Sequence, residues 1–239
     1  MPVEIELWKK PKNPVIIEGF PGFGLIGTIT TEFLISQLKA ELIGRIRLDD
    51  IPAMVAIHDS KVIHPLGIYH AAKQNIAIIH VVTNVHGIEW QIARAITEIA
   101  EKLGAKEILS VEGVASPTQG EDADGATFYY ANVQANQKRF EKVKVGRLRE
   151  GVIVGVTGAL LVERGAPVSA VFVETQTGLP DSKAAAEVIK VLDKYLGLKI
   201  DPAPLYEQAH KFEEKLKRII DQTKITKDEQ EKKKLSYVG

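Results

Sequence analysis

Between residues 41 and 83, four segments rich in Ile and Val follow one another too closely for helices to connect them. They are ELIGRIRL (41–48), AMVAIHD (53–59), KVIHPLGIYHA (61–71) and IAIIHVVT (76–83). A crossover between parallel strands needs about a dozen residues or more, and these gaps are much shorter. The segments therefore predict antiparallel strands joined by hairpins, which argues against a sheet built only from repeated β-α-β units.

Further apolar patterns place strands and helices around this run. Alternating or continuous apolar residues predict strands at 3–8, 14–19, 107–115 and 168–175. Helical spacing predicts helices after Gly27, from Ile88 to Leu103, and over 181–197. Residues 126–150 are predicted to be a short excursion, after which the core resumes at 152–165. Together these elements predict one α/β domain over residues 1–200, with helices flanking a mixed sheet.

Composition excludes several classes of site. The chain has no cysteine, so disulfides, thiolate zinc sites and cysteine nucleophiles are absent. The chain has 31 basic residues (Lys and Arg) and 31 acidic residues (Asp and Glu), and this balance argues against a nucleic-acid partner. No apolar run approaches the ~20 residues needed to span a bilayer, and the start MPVEIELWKK lacks a signal-peptide pattern. We therefore expect a cytoplasmic protein with no membrane partner.

The segment GFPGFGLIG (19–27) lies between a predicted strand and a predicted helix. Gly22, Gly24 and Gly27 match the spacing G-x-G-x-x-G, and Asp49 and Asp50 follow at about the distance of a ribose-binding acid. One interpretation is a dinucleotide site. The other is a tight turn in which glycine permits close packing. The hairpin-connected strands and Pro21, which removes one backbone amide, favour the tight turn.

Histidines and acids suggest two further sites. Five histidines fall within 29 residues, namely His58, His64, His70, His80 and His86. Their spacing matches no zinc signature, which favours ordinary positions at strand ends over a metal site. Four acids near predicted strand or helix ends could form an acid–base pair if the fold brought them together: Glu112, Glu163, Glu174 and Asp181. No catalytic constellation stands out, so we expect no catalytic residue, cofactor or metal.

The C-terminal part differs in composition from the rest. Leu205, Phe212, Leu216 and Ile219 form a narrow apolar stripe, which predicts an amphipathic helix over 201–222 that begins at the joint DPAPLY (201–206). Residues 223–239 are predicted to be a flexible charged tail ending in the tip Leu-Ser-Tyr-Val-Gly (235–239). The tip is either a docking peptide, an accidental apolar end, or a segment that folds back on its own domain.

Four ordered motifs resemble the proteasome assembly chaperone 2 family, particularly its archaeal members. They are GFPGFGLIG (19–27), VEGVAS (111–116), GVTGALLVERG (155–165) and ETQTGLPDSKAAAEVI (174–189). The resemblance implies an α/β fold similar to nucleoside phosphorylases and hydrolases. It also implies a non-enzymatic protein that assists assembly of proteasome α-rings, or that opens the substrate gate of the 20S particle without ATP. Implied partners are 20S α-subunits, further copies of the chain in a homo-oligomer, and a homologous chaperone subunit.

In this family, C-terminal tails ending in a hydrophobic residue, tyrosine and a final residue enter pockets between α subunits. The resemblance extends that docking role to Leu235, Tyr237, Val238 and Gly239. The pattern is shifted by one position, since Tyr237 is third from the end and Ser236 precedes it. Two alternatives stay open: a nucleoside hydrolase or phosphorylase that uses the glycine-rich turn, and a scaffold that pairs the 205–220 stripe with another helix.

Overall fold

The computed structural model describes residues 3–49, 55–58, 60–115, 125–163, 165–175, 179–207 and 217–218. The strands are β1 (Val3–Leu7), β2 (Val15–Gly19), β3 (Glu41–Leu48), β4 (Ala56–His58), β5 (Lys61–Ile63), β6 (Leu66–Ala71), β7 (Ile76–Val81), β8 (Glu107–Ala115), β9 (Thr127–Ala131), β10 (Gly146–Arg147) and β11 (Val168–Thr175). The α-helices are α1 (Ile26–Gln37), α2 (Glu89–Leu103), α3 (Gln134–Lys142), α4 (Val156–Val162) and α5 (Ser182–Leu196).

Nine of these strands form one mixed sheet in the order β1-β3-β6-β7-β2-β8-β11-β9-β10. Its centre is parallel, because β2 pairs in parallel with β7 and β8, and β8 pairs in parallel with β11. The strands β1, β3, β6 and β7 pair antiparallel in sequence across one side of the sheet. The predicted α/β class with a mixed sheet is confirmed.

The antiparallel side confirms the hairpin prediction drawn from the short gaps. The segment 61–71, however, holds two strands rather than one, because the turn at His64–Pro65 separates β5 from β6. Among the described residues, the strand β5 pairs with β4, and this hairpin forms a two-stranded sheet of its own.

Two apolar cores cover the two faces of the parallel centre. On one face, α1 and α5 bury residues such as Ile29, Leu34 and Ile189 against the sheet. On the other face, α2 and α4 bury residues such as Ile96 and Leu160. Since successive residues of a strand point to opposite faces, Ile17 joins the first core and its neighbour Ile16 the second.

Helix ends follow the local sequence signals. Gly104 and Gly197 adopt left-handed conformations, with φ of 61° and 67°, and end α2 and α5. Asp181 begins α5, because its carboxylate accepts a hydrogen bond from the backbone amide of Ala184. The helices predicted from Ile88 to Leu103 and over 181–197 are confirmed.

Two details differ from the sequence-based expectations. The core does not resume at residue 152, since Val152 is 90% exposed and Val154 is also exposed, and α4 begins only after Gly155. Leu205, assigned to the apolar stripe of an arm, is buried in the core that contains α1 and α5. Among the described residues, no helix is both long and apolar enough to cross a bilayer.

Candidate functional site

The glycine-rich turn closes the end of β2 onto the start of α1. A Cβ added to Gly19 would lie 2.2 Å from the carbonyl oxygen of Gly27, and one added to Gly27 would lie 2.7 Å from the amide of Phe20. Gly24 has φ of 65°, a conformation that suits glycine, and its carbonyl accepts the amide hydrogen of Asp181. Close packing therefore explains Gly19 and Gly27, and backbone conformation explains Gly24.

The rest of the dinucleotide interpretation does not fit the sheet order. Asp49 follows β3, and β6 and β7 separate that strand from β2. At ~4.8 Å per strand, the acid lies roughly 14 Å along the sheet from the turn. Asp49 instead lies 3.8 Å from the guanidinium of Arg47, where both side chains are exposed. The glycines Gly19, Gly24 and Gly27 of the strand-to-helix turn therefore have a structural role.

A cleft of about 270 Å³ opens beside the first half of the turn. It lies at the carboxyl ends of β2, β7 and β8, the edge of an open α/β sheet where ligands usually bind. Apolar side chains form its walls, with the polar residues Asn84, His86, Glu89, Glu112 and Thr157 among them. The full apolar lining is Phe20, Pro21, Val85, Val111, Val154 and Val156, with Gly22 and Gly155.

A column of buried polar side chains leads inward from this cleft. The carboxyl of Glu112 lies beside Thr157, whose hydroxyl is 2.7 Å from the hydroxyl of Ser110. Ser110 in turn is the cross-strand partner of Glu18 on β2. Glu18 is completely buried, and neither of its carboxyl oxygens has a hydrogen-bond partner that meets normal geometry. Ser110 nevertheless lies close enough to favour the charged form of this carboxyl.

Burial controls the ionisation of both acids. Loss of solvation, with a smaller contribution from the charge of Glu112, raises the pKa of Glu18 to about 8, against the opposing effect of Ser110. Burial likewise raises the pKa of Glu112 to about 7, although its contact with Thr157 acts in the opposite direction.

Sequence reasoning found only part of this cluster. Glu112 was one of the four candidate acids, whereas Glu18 was missed, although an acid within the buried strand segment VIIEG was the available signal. Asp181 takes a structural role, since it caps α5 and accepts a hydrogen bond from the Thr175 hydroxyl. Of the four candidate acids, Glu112 therefore lines the cleft and Asp181 has a structural role.

The histidines occupy separate places. His80 is buried on β7, with Nδ1 2.8 Å from the Thr31 hydroxyl and Nε2 3.1 Å from a Glu32 carboxylate oxygen. The other contacts are His64 against the ring of Trp8, His70 with Asn75, and exposed His86 with Glu89. Within the ranges that the structure describes, no three side chains come together as metal ligands could.

Several large apolar side chains are exposed on the described surface. Val154 lines the cleft, and Trp90 adjoins its lining residue Glu89. On the separate hairpin, the cross-strand partners Ile57 and Val62 are 71% and 54% exposed. Exposed apolar patches of this kind are typical of protein interaction surfaces. The predicted docking residues Leu235, Tyr237, Val238 and Gly239 lie outside the described residues.

Two solved structures from Pyrococcus furiosus resemble this fold over most of its length. One is PbaA, an archaeal homologue of proteasome-assembly chaperone, with a TM-score of 0.83 and 31% identity, covering 95% of this chain and 100% of that chain. The other is PbaB, an archaeal proteasome activator, with a TM-score of 0.74 and 26% identity, covering 91% and 98%. An uncharacterized protein of Methanocaldococcus jannaschii is 24% identical over 216 residues, 88% of this chain and 87% of that protein.

These likenesses confirm the family resemblance inferred from the four motifs. The two similar structures are a chaperone homologue and a proteasome activator, in agreement with the expectation of a non-enzymatic protein. The model of the PAC2 family matches residues 16–220, a span that contains the glycine-rich turn, the cleft and both cores. The chain therefore belongs to the PAC2 family.

Proposed function

We propose that this protein is a proteasome assembly chaperone homologue or an ATP-independent activator, which binds the α-ring of the 20S particle through the C-terminal tails of a homo-oligomer. The observation that carries the proposal is the likeness to PbaA, which covers 95% of this chain at 31% identity. The likeness to PbaB, an archaeal proteasome activator, supports the second form of the same role. In both forms the protein acts in the cytoplasm by binding other proteins, and a homologous chaperone subunit is a further partner.

We assign a separate role to each of three segments that differ in composition. Residues 1–200 form the body, 201–222 an amphipathic helix, and 223–239 a charged tether with the docking tip. A hydrophobic tip on a solvated tether combines reach with a compact contact, in which Tyr237 supplies apolar area and a hydroxyl. Leu235, Val238 and the carboxylate of Gly239 complete the proposed contact.

Oligomerisation supplies the strength of binding. A five-residue tip buries little surface, so one tail alone binds weakly. Several tails held on one oligomer, facing a ring of repeated pockets, gain from high effective concentration. The exposed apolar pair Ile57 and Val62 is compatible with contacts between protein chains.

Deletion of residues 235–239 tests the tail mechanism. The truncated protein should keep the oligomeric mass of the full chain, but it should no longer co-sediment with 20S particles or stimulate peptide hydrolysis. A matched control replaces the same five residues with Gly and Ser, which keeps the tether length and removes the apolar tip. Association and stimulation that persist in both variants would overturn the tail mechanism.

A further inference from the structure

The cleft beside the glycine-rich turn is not part of the proposed proteasome-binding mechanism. It lies where β2, β7 and β8 end, and Glu112 is one of its lining residues. Its volume of about 270 Å³ is near the lower end of the range for small-molecule sites, and most of its wall is apolar. The cleft is therefore suited to a compact ligand with an apolar body.

Two acids are among the polar residues of the lining. Glu89 and Glu112 both line the cleft, whereas no Lys or Arg is among the described residues that do so. One carboxyl oxygen of Glu112, Oε2, is buried without a hydrogen-bond partner. A carboxylate short of donors is costly in a partly buried place, so a cation that lies against the Glu112 side chain gains free energy.

Glu18 provides a second, independent observation. This side chain is wholly buried on the same face of the sheet as Glu112, and neither of its oxygens has a hydrogen bond of normal geometry, although Ser110 lies nearby. On this face the core residue Ile16 precedes Glu18 by two positions and Ile108 precedes Glu112 by four, so acids follow apolar core positions on both strands. Packing alone gives no reason for two acids at this place.

Gly22 is the third observation. Its φ of −141° is accessible to any residue, and an added Cβ would meet only the carbonyl oxygen of Phe20, at 3.9 Å. Gly22 thus differs from Gly19 and Gly27, where the neighbouring backbone leaves no room for a Cβ atom. A glycine that neither conformation nor packing requires, on the wall of a cleft, leaves room for a ligand to approach the backbone.

We propose that the cleft binds a small organic cation, an apolar body that carries an ammonium, amidinium or guanidinium group, with the charged group against the carboxylate of Glu112. The cation lies against Glu112, and Glu89 adds a second negative charge at the cleft wall. The apolar body lies against Pro21, Val85 and Val154, which line the same space. Hydrogen bonds between a cation and a carboxylate are stronger than neutral ones, which gives the site its selectivity for charge.

A pair of ligands of nearly identical shape tests this proposal on the full chain. Benzamidine carries an amidinium on an apolar ring, whereas benzamide is its neutral counterpart. Isothermal titration at pH 8, up to about 10 mM ligand, should show saturable binding of benzamidine and at least roughly tenfold weaker binding of benzamide. Equal affinity for the two ligands, or no saturable binding of benzamidine, would overturn the proposal.

Variants then locate the bound charge. Glu112→Gln keeps the size of the side chain but removes its charge, so it should weaken benzamidine binding by roughly tenfold or more. Glu207→Gln removes an exposed carboxylate elsewhere and should leave the affinity unchanged. Unchanged affinity in Glu112→Gln would contradict the site. If that variant does not fold, the comparison of benzamidine with benzamide on the unmodified chain still decides.

Discussion

At the scale of single residues, Glu18 departs most from the rule that a buried strand carries apolar side chains. Its neighbours Ile16 and Ile17 are fully buried in the two cores, and Glu18 is equally buried at the end of the same strand. An ionised carboxylate without strong partners is unfavourable in such a place, so the side chain takes up a proton instead. The stability of the protein should consequently depend on pH in an unusual direction.

Stability should fall as the pH rises from about 4.5 to about 8. The folded chain keeps the Glu18 proton up to about pH 8, whereas the unfolded chain loses it near the usual 4.5. Unfolding releases a proton throughout this interval, so a higher pH favours the unfolded state, by on the order of 4 kcal/mol across the interval. Glu18→Gln cannot ionise and should reduce this decline, as measured by urea unfolding at several pH values and one protein concentration.

The groups that face Glu18 define the control for this experiment. They are Ser110 and Glu112 on β8, with Thr157 of α4 behind Ser110. Because the pKa of Glu112 is raised to about 7, a smaller decline should persist in Glu18→Gln and disappear in the double variant with Glu112→Gln. A decline of the same size in all three proteins would show that these acids do not cause it.

The glycines of the turn should divide into two groups on substitution. Gly19→Ala places a methyl group 2.2 Å from the Gly27 carbonyl oxygen, and backbone must move to accept it. We expect a loss of about 3 kcal/mol or more, visible as a melting temperature lower by roughly 6–12 °C. Gly22→Ala is the matched control from the same turn, and its effect should stay within about 0.5 kcal/mol. Similar effects at both positions would contradict the packing explanation.

At the scale of elements, one buried acid links its own strand to three other elements. Glu107 at the start of β8 is 1% exposed and accepts a hydrogen bond from Ser169 on β11, and its two carboxylate oxygens lie 2.9 Å and 3.0 Å from the Tyr195 hydroxyl on α5. Arg139 of α3 lies 3.2 Å from the same carboxylate and 4.0 Å from the Tyr195 ring centre. Burial raises the pKa of Glu107, and these donors act against that rise.

Removal of one donor should loosen this junction. Tyr195→Phe keeps the ring stacked on Phe140 but takes a hydroxyl from the buried carboxylate, at an expected cost of about 1–3 kcal/mol in the free energy of unfolding. Tyr206→Phe is the control, because the Tyr206 hydroxyl donates to Glu187 at an exposed site. Denaturant unfolding should separate the two variants by at least about 1 kcal/mol, and no difference would argue against a stabilising role for the junction.

The elements also show which parts of the fold the sequence can predict. Helix stops at Gly104 and Gly197 and the antiparallel run after residue 41 follow from local signals, namely backbone freedom and gap length. The roles of Gly19 and Gly22 depend on distances between segments, which one sequence does not contain. For the same reason, Glu112 was visible as a candidate acid, but its position behind a cleft was not.

At the scale of the whole molecule, charge is unevenly distributed along the chain. Of the 30 residues from 205 to 234, 16 are charged, nine basic and seven acidic. In the proposed arrangement, the charged residues of this segment connect the body to the docking tip. If several tips of one oligomer bind together, removing some of them should lower the affinity for 20S particles more than it would if each tip bound independently.

Oligomers that mix full-length and truncated chains test whether several tips bind together. Full-length chains and chains that lack residues 235–239, unfolded and refolded together at varied ratios, should form oligomers with fewer tips. Because effective concentration multiplies the contributions of linked tips, the affinity for 20S particles should fall more steeply than in proportion to the full-length fraction. Physical mixtures of the two preformed oligomers are the control, since they should give a proportional decrease. A proportional decrease in the co-refolded samples as well would show that single tails bind independently, and that the oligomer adds no avidity.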